Sequence, residues 1–242
     1  TSDTKTLADR WIQYRLNEVV ASMTKKMDAS QFSAAGEELR DFTWGDLADW
    51  YLEIAKVEKG KTAILRQMLQ TLLKLWHPFT PFVTEHIWKL AGFEGMLMVA
   101  EWPEGSQTSE EGVGQYFERL RLFITDGRRL RAEQGVEASK AIVFGWSADE
   151  QMTSVLTENN AWIKRMLNAS ELTRMDSIPS AWVAVTSGAS SLGFDPAGAL
   201  DLGKEREKMQ KEIESLTNYL VSVEGKLNNQ EFTAKAPEKV VN

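Results

Sequence analysis

Apolar side chains near the start of the chain recur at steps of three, four and five, which fit one helical face. Leu7, Trp11, Leu16, Val19, Val20, Met23 and Met27 predict a helix over residues 7–27. A second helix is expected from about Ser33 to Glu58, on Leu39, Phe42, Leu47, Trp50, Tyr51 and Ile54, closed by the turn Glu58-Lys59-Gly60-Lys61. Ile64, Leu65, Met68, Leu69, Leu72, Leu73 and Trp76 form a broad stripe over Thr62–Trp76, as a central bundle helix requires. Pro78 stops it, because a proline forces its predecessor out of helical geometry. Thr80-Pro81 reads as an N-cap followed by proline in the first turn of a short helix to about Leu90. Residues 104–114, rich in Gly, Ser and Glu, read as an exposed linker. A fifth helix is expected over about Gly114 to Gln134, with Tyr116, Phe117, Leu120, Phe123, Ile124 and Leu130.

The period then changes. Ala141–Trp146 has strand composition. Ser147 with Glu150 reads as a capping box, opening a helix through Val155, Leu156, Trp162, Ile163 and Leu167. Glu171–Met175, Trp182–Thr186 and a stretch from about Gly193 to Leu202 are candidate strands. Leu202, Met209, Ile213, Leu216, Leu220, Val223 and Leu227 then alternate by four and three, with Arg206 filling one gap. This is a heptad seam, which needs a partner helix to cover it. The expected architecture is mainly α: a helical bundle over 1–138, a small α+β unit over 139–200 and a coiled-coil helix from 201 to 242.

Composition narrows the chemistry. The 242 residues carry no Cys and two His, His77 and His86, so disulfides and Cys- or His-rich metal sites are excluded. No apolar run approaches the roughly 20 residues of a membrane span, and no signal peptide is visible at Thr1-Ser2-Asp3. A cytoplasmic setting is expected. The net charge of −7 opposes nucleic-acid binding by bulk charge, so any such binding must use local patches. No Gly-rich phosphate loop, nucleophile elbow or metal-ligand cluster occurs.

Several stretches carry a family resemblance. Asp9-Arg10-Trp11-Ile12 with Arg15-Leu16-Asn17, Asp49-Trp50-Tyr51-Leu52-Glu53, the block His77–Trp88 and Arg128–Glu133 resemble the anticodon-binding helical bundle of class I aminoacyl-tRNA synthetases for Val, Ile and Leu. The tail Lys226–Val241 is similar to the loop inside the coiled-coil arm of the valyl-tRNA synthetase family, and the absence of Cys agrees. The resemblance implies the C-terminal part of such a ligase: a bundle that holds the anticodon stem and loop of tRNA(Val), and the start of an arm that touches the tRNA's outer corner. It places the catalytic domain, the editing domain, ATP and Mg outside this chain, and implies that the chain alone binds tRNA without aminoacylating it. It also implies that the second arm helix is missing, so a non-native dimer through the heptad seam is possible.

Anticodon loops present unstacked bases, read by stacking and edge hydrogen bonds, while cations hold phosphates. Arg10, Arg15, Lys25, Lys26, Gln31 and Phe32 follow the first helix and the turn after it and are candidates for this contact. Phe32 could equally be core and the Lys pair a solvated face. Arg121, Arg128, Arg129 and Arg131 crowd one helix, and residues 115–140 hold six basic against four acidic side chains, a local reversal of the chain's sign. They could hold tRNA backbone, or pair with neighbouring acids. Lys204, Lys208, Lys211 and Lys226 are the arm's candidates, although residues 201–242 hold seven basic and eight acidic side chains. His77, beside a proline, is expected to bond a last-turn carbonyl and not to act in catalysis. The tryptophans are expected to be packing anchors. The alternative is a non-enzymatic helical interaction module that self-associates or takes a partner through the seam.

Overall fold

A computed structural model describes residues 5–105, 111–199 and 202–227, with the side chains of 111, 202–208 and 225–227 left out. Helix α1 (Leu7–Asp28) starts on a capping box: the Thr6 hydroxyl accepts from the Asp9 amide, and the Asp9 carboxylate accepts from the Thr6 amide. Of the expected row, Trp11, Leu16, Val19, Val20 and Met23 are buried, Leu7 and Met27 are partly buried, and Ile12 joins them. Helix α2 (Phe32–Asp41) runs straight into a π-helix (Phe42–Tyr51) and then α3 (Leu52–Ala55). The single helix expected over 33–58 is therefore continuous but changes winding, and ends three residues early.

Helix α4 (Thr62–Trp76) matches its expected limits. Helix α5 (Pro81–Leu90) begins on proline as expected, but the Thr80 hydroxyl does not cap it. It donates backward to the Trp76 carbonyl at 3.2 Å, so Thr80 closes α4 instead. A 3₁₀ turn (Leu97–Val99) follows, and α6 (Glu111–Glu133) starts three residues before the expected Gly114. Residues 106–110 of the expected linker lie outside the described residues.

Strand β1 (Ile142–Ala148) absorbs Ser147, so the helix cap is two residues later than read: Asp149 accepts from the Met152 amide at 2.7 Å. The helix expected through Leu167 breaks into α7 (Glu150–Glu158) and α8 (Asn160–Met166). Asn159 makes the break, donating to the Val155 carbonyl and accepting from the Trp162 indole. Strands β2 (Ala169–Arg174), β3 (Val183–Ser187) and β4 (Ser190–Phe194) complete a sheet of order β2-β1-β4-β3. β1 and β2 are parallel; β4 is antiparallel to both β1 and β3. The last strand ends at Phe194, not near Leu202, because Pro196–Ala199 forms the short helix α9. Helix α10 is Leu202–Leu227.

One apolar core joins bundle and sheet. Phe117 on α6 is its hub, stacked on Trp11 of α1 at 3.7 Å between centroids and on Trp162 of α8 at 5.9 Å, with Trp50 of the π-helix edge-on at 6.4 Å. Such buried aromatic pairs contribute about 0.5–1.5 kcal/mol each beyond area burial. The seam of α10 is uncovered among the described residues: Met209, Ile213, Leu216 and Leu220 are each more than half exposed.

Candidate nucleic-acid interface

The π-helix sets the geometry of the bundle's charged groove. Phe42, Asp46 and Trp50 occupy its buried face, so a carboxylate sits in a row of aromatics. Buried carboxylates need a charge partner, and Asp46 has two. Arg15 Nε of α1 donates to its Oδ2 at 3.0 Å, and Arg121 Nη1 of α6 donates to its Oδ1 at 3.0 Å. Glu18 accepts from Arg15 at 2.6 Å and Glu118 from Arg121 at 3.0 Å. Burial alone would lower the affinity of the Arg15 guanidinium for its proton, but Asp46 and Glu18 outweigh it and push its pKa up. The Arg121 guanidinium also lies 5.1 Å from the Trp50 ring centroid, with Arg128 at 5.6 Å from the same ring. An open groove runs beside this cluster, lined by Arg15, Lys26, Glu37, Glu38, Asp46 and Arg121. Lys26 is paired with Glu38 at 2.6 Å. The groove's cations are thus largely balanced by carboxylates on its own walls.

The turn between α1 and α2 is built differently. Its backbone is fixed by the Ala29 and Gln31 amides donating to the Lys25 and Lys26 carbonyls, with Ser30 at φ 57°. Lys25, Gln31 and Phe32 are all exposed there, Phe32 to 54%. The expectation that Phe32 could be core is therefore set aside. Lys25 has no ion-pair partner among the described residues. Arg10 is exposed on α1.

The arginines at the end of α6 divide. Arg131 is 5% exposed, and its Nη1 and Nη2 donate to the carbonyls of Leu167, Asn168, Glu137 and Lys140 at 2.6–3.1 Å. Its guanidinium fastens α6 to the segments that lead into β1 and β2, and burial pulls its pKa down. Arg128 Nε donates to the Met166 carbonyl at 2.9 Å, and burial lowers its pKa too. Only Arg129 projects outward, at 59% side-chain exposure, paired with Asp126 at 3.0 Å. So Arg121 and Arg128 share a face over Trp50, whereas Arg131 is spent inside. On α10, Lys211 is exposed; Lys204, Lys208 and Lys226 fall where side chains are not described. His77 bonds the Thr84 hydroxyl at 2.8 Å and not a carbonyl.

Two features escaped the sequence reading. Asp46 could have been found as the one acid in the i, i+4, i+8 row Phe42–Asp46–Trp50. Lys61 could not: its ammonium is 5% exposed and donates to both Asp9 oxygens at 2.7 Å and to Thr6 at 2.9 Å, a pairing across more than fifty residues. The Tyr51 hydroxyl donates to Asp9 at 2.7 Å. Among the described residues no group of three or more His, Cys, Asp or Glu could hold a metal ion, and no helix is long and apolar enough to cross a membrane.

The sequence family described as the anticodon-binding domain of tRNA ligase matches residues 9–144, more than half the chain. The chain belongs to this family. The matched residues run from Asp9 on α1 into β1 and so include Arg15, Asp46 and Arg121. A second family, the valyl tRNA synthetase tRNA binding arm, matches residues 201–242. The anticodon-binding domain and its extension are 39% identical to a valine–tRNA ligase of Carboxydothermus hydrogenoformans, over 98% of this chain and 28% of that protein. They are 35% identical to the valine–tRNA ligase of Enterococcus faecalis (99% and 29%) and 37% identical to that of Bacillus cereus (98% and 28%). The chain therefore spans less than a third of the length of these relatives.

Proposed function

We propose that this chain is the tRNA(Val)-binding portion of a cytoplasmic valine–tRNA ligase. The observation that carries the reading is the coincidence of the anticodon-binding match with a helical bundle that presents Lys25, Gln31 and Phe32 at one end and the Arg15–Asp46–Arg121 groove on one flank. ATP, Mg and the joining of valine to tRNA belong, in this reading, to the remaining part of a ligase like the relatives. The chain's share is to hold the RNA. Its own carboxylates neutralise the groove, so binding is expected to be modest, and it should weaken with salt, since each phosphate contact releases counterions. Fluorescently labelled valine tRNA titrated at low and at moderate salt tests this. Log K should fall linearly with log salt, and a tRNA for another amino acid should bind more weakly. No complex at low salt refutes the proposal.

A second reading rests on α10. Its exposed row Met209, Ile213, Leu216 and Leu220 is suited to pairing with another helix, and two copies of this chain would pair through it.

A further inference from the structure

We infer that Glu18 and Glu118 are internal competitors for phosphate: their carboxylates occupy Arg15 and Arg121 and must give way before an RNA backbone can bond either guanidinium. The inference rests on the tRNA-binding reading and adds to it what limits binding there. Both arginines line two open clefts. One is the groove on the side of Asp46 and Lys26. The other lies between α1 and α6 and is lined also by Tyr14, Glu18, Gly114 and Glu118. The three carboxylates around the arginine pair differ in depth. The Asp46 side chain is 9% exposed, whereas Glu18 is 44% and Glu118 53% exposed. Arg15 gives its Nε to Asp46 at 3.0 Å and its Nη1 to Glu18 at 2.6 Å. Arg121 Nη1 is shared between Asp46 and Glu118, each at 3.0 Å.

Asp46 is thus the fixed anchor, and the two glutamates are the outer partners. A carboxylate and a phosphate make the same charge-assisted hydrogen bonds to a guanidinium. Glu18 and Glu118 therefore stand in for the ligand in its absence. Each is paired to an arginine one turn away on its own helix, and exposed pairs of this kind are weak enough to be displaced. Glu18 is the better fixed of the two. The Tyr14 hydroxyl donates to its other oxygen at 2.7 Å. The Tyr14 ring in turn lies against Gly114 of α6, where an added Cβ would stand 3.1 Å from it. Displacement weakens every polyanion alike. An RNA that makes further contacts still binds, whereas one with only its charge to offer does not.

The test uses the whole chain, labelled valine tRNA and a labelled uridine homopolymer, with anisotropy titrations at several salt concentrations. Glu18→Gln and Glu118→Gln should each tighten binding of both RNAs about two- to fivefold, the scale of an exposed ion pair, and the double variant about tenfold. The fall of log K with log salt should steepen by about one per carboxylate replaced, because the freed arginine then displaces counterions without leaving an unpaired glutamate behind. Glu171→Gln, the same change of charge on exposed β2, should alter neither affinity nor slope. Far-ultraviolet circular dichroism and melting of each variant report folding independently. Unchanged affinity and slope in the double variant, with wild type bound to tRNA, would overturn the competitor role and leave the tRNA-binding reading standing. Equal tightening by Glu171→Gln would reduce the effect to net charge and overturn it too. Failure of every protein to bind tRNA at low salt overturns the parent reading as well.

Discussion

Asp9 shows how one side chain ties distant parts of this chain together. Burial would raise its pKa, but Lys61, Tyr51 and the Thr6 amide all favour its charged form and hold it below the ordinary carboxylate range. The same contact, with burial first, pushes the Tyr51 phenol up. A depressed folded pKa means stability that is present above the unfolded value of about 3.9 and lost as pH falls through the folded one. Asp9→Asn should therefore cost about 3 kcal/mol near neutrality, the low end for breaking a buried pair, because Glu58 still faces Lys61. The gap to wild type should narrow progressively as pH falls below about 5 in urea unfolding series. A gap that stays constant over that range refutes the assignment.

At the scale of elements, close approaches of backbone decide which glycines are replaceable. A Cβ on Gly193 of β4 would stand 2.7 Å from the Val183 carbonyl oxygen across the β3–β4 pair. Backbone there cannot yield without breaking the ladder, so Gly193→Ala should destabilise by about 1–3 kcal/mol. A Cβ on Gly127 of α6 would meet the Leu192 and Leu167 methyl ends at 2.5 and 2.6 Å. Those side chains can rotate, and alanine favours helix over glycine by about 1 kcal/mol, so Gly127→Ala should cost clearly less. Denaturant midpoints rank the two; the reverse order rejects the argument. Neither approach is visible in a sequence. What the sequence does show is set by local period: α1, α4 and the start of α5 were legible because one face of each is apolar, and Gly60, Pro78 and Pro81 mark the limits of α4 and the start of α5. The π-helix was not, because its change of winding is imposed by packing Asp46 and Trp50 against α1 and α6. The cap at Ser147 was misplaced because two acceptors, Ser147 and Asp149, both precede α7, and strand pairing with β4 claims the first. The candidate site was half legible: Lys25, Gln31 and Phe32 stand exposed as one cluster, whereas the fate of Arg131 depended on carbonyls that only the fold brings to it.

For the whole molecule, an acidic chain that binds RNA must keep its cations from being cancelled, and here most are cancelled internally. The uncovered seam of α10 adds a second route to association. If two copies pair through it, light scattering should give a dimer that Leu216→Lys with Leu220→Lys returns to monomer; a monomeric wild type at high concentration excludes that route. The attachment of sheet to bundle has a further consequence. Arg131 holds it through neutral carbonyl acceptors, and a guanidinium keeps its proton far above any pH at which a protein folds. The joint at Asp9 and Lys61, by contrast, depends on a carboxylate. Acidification should therefore loosen the molecule from its α1–α4 corner first, and the seam between α6 and the sheet should be the last to part.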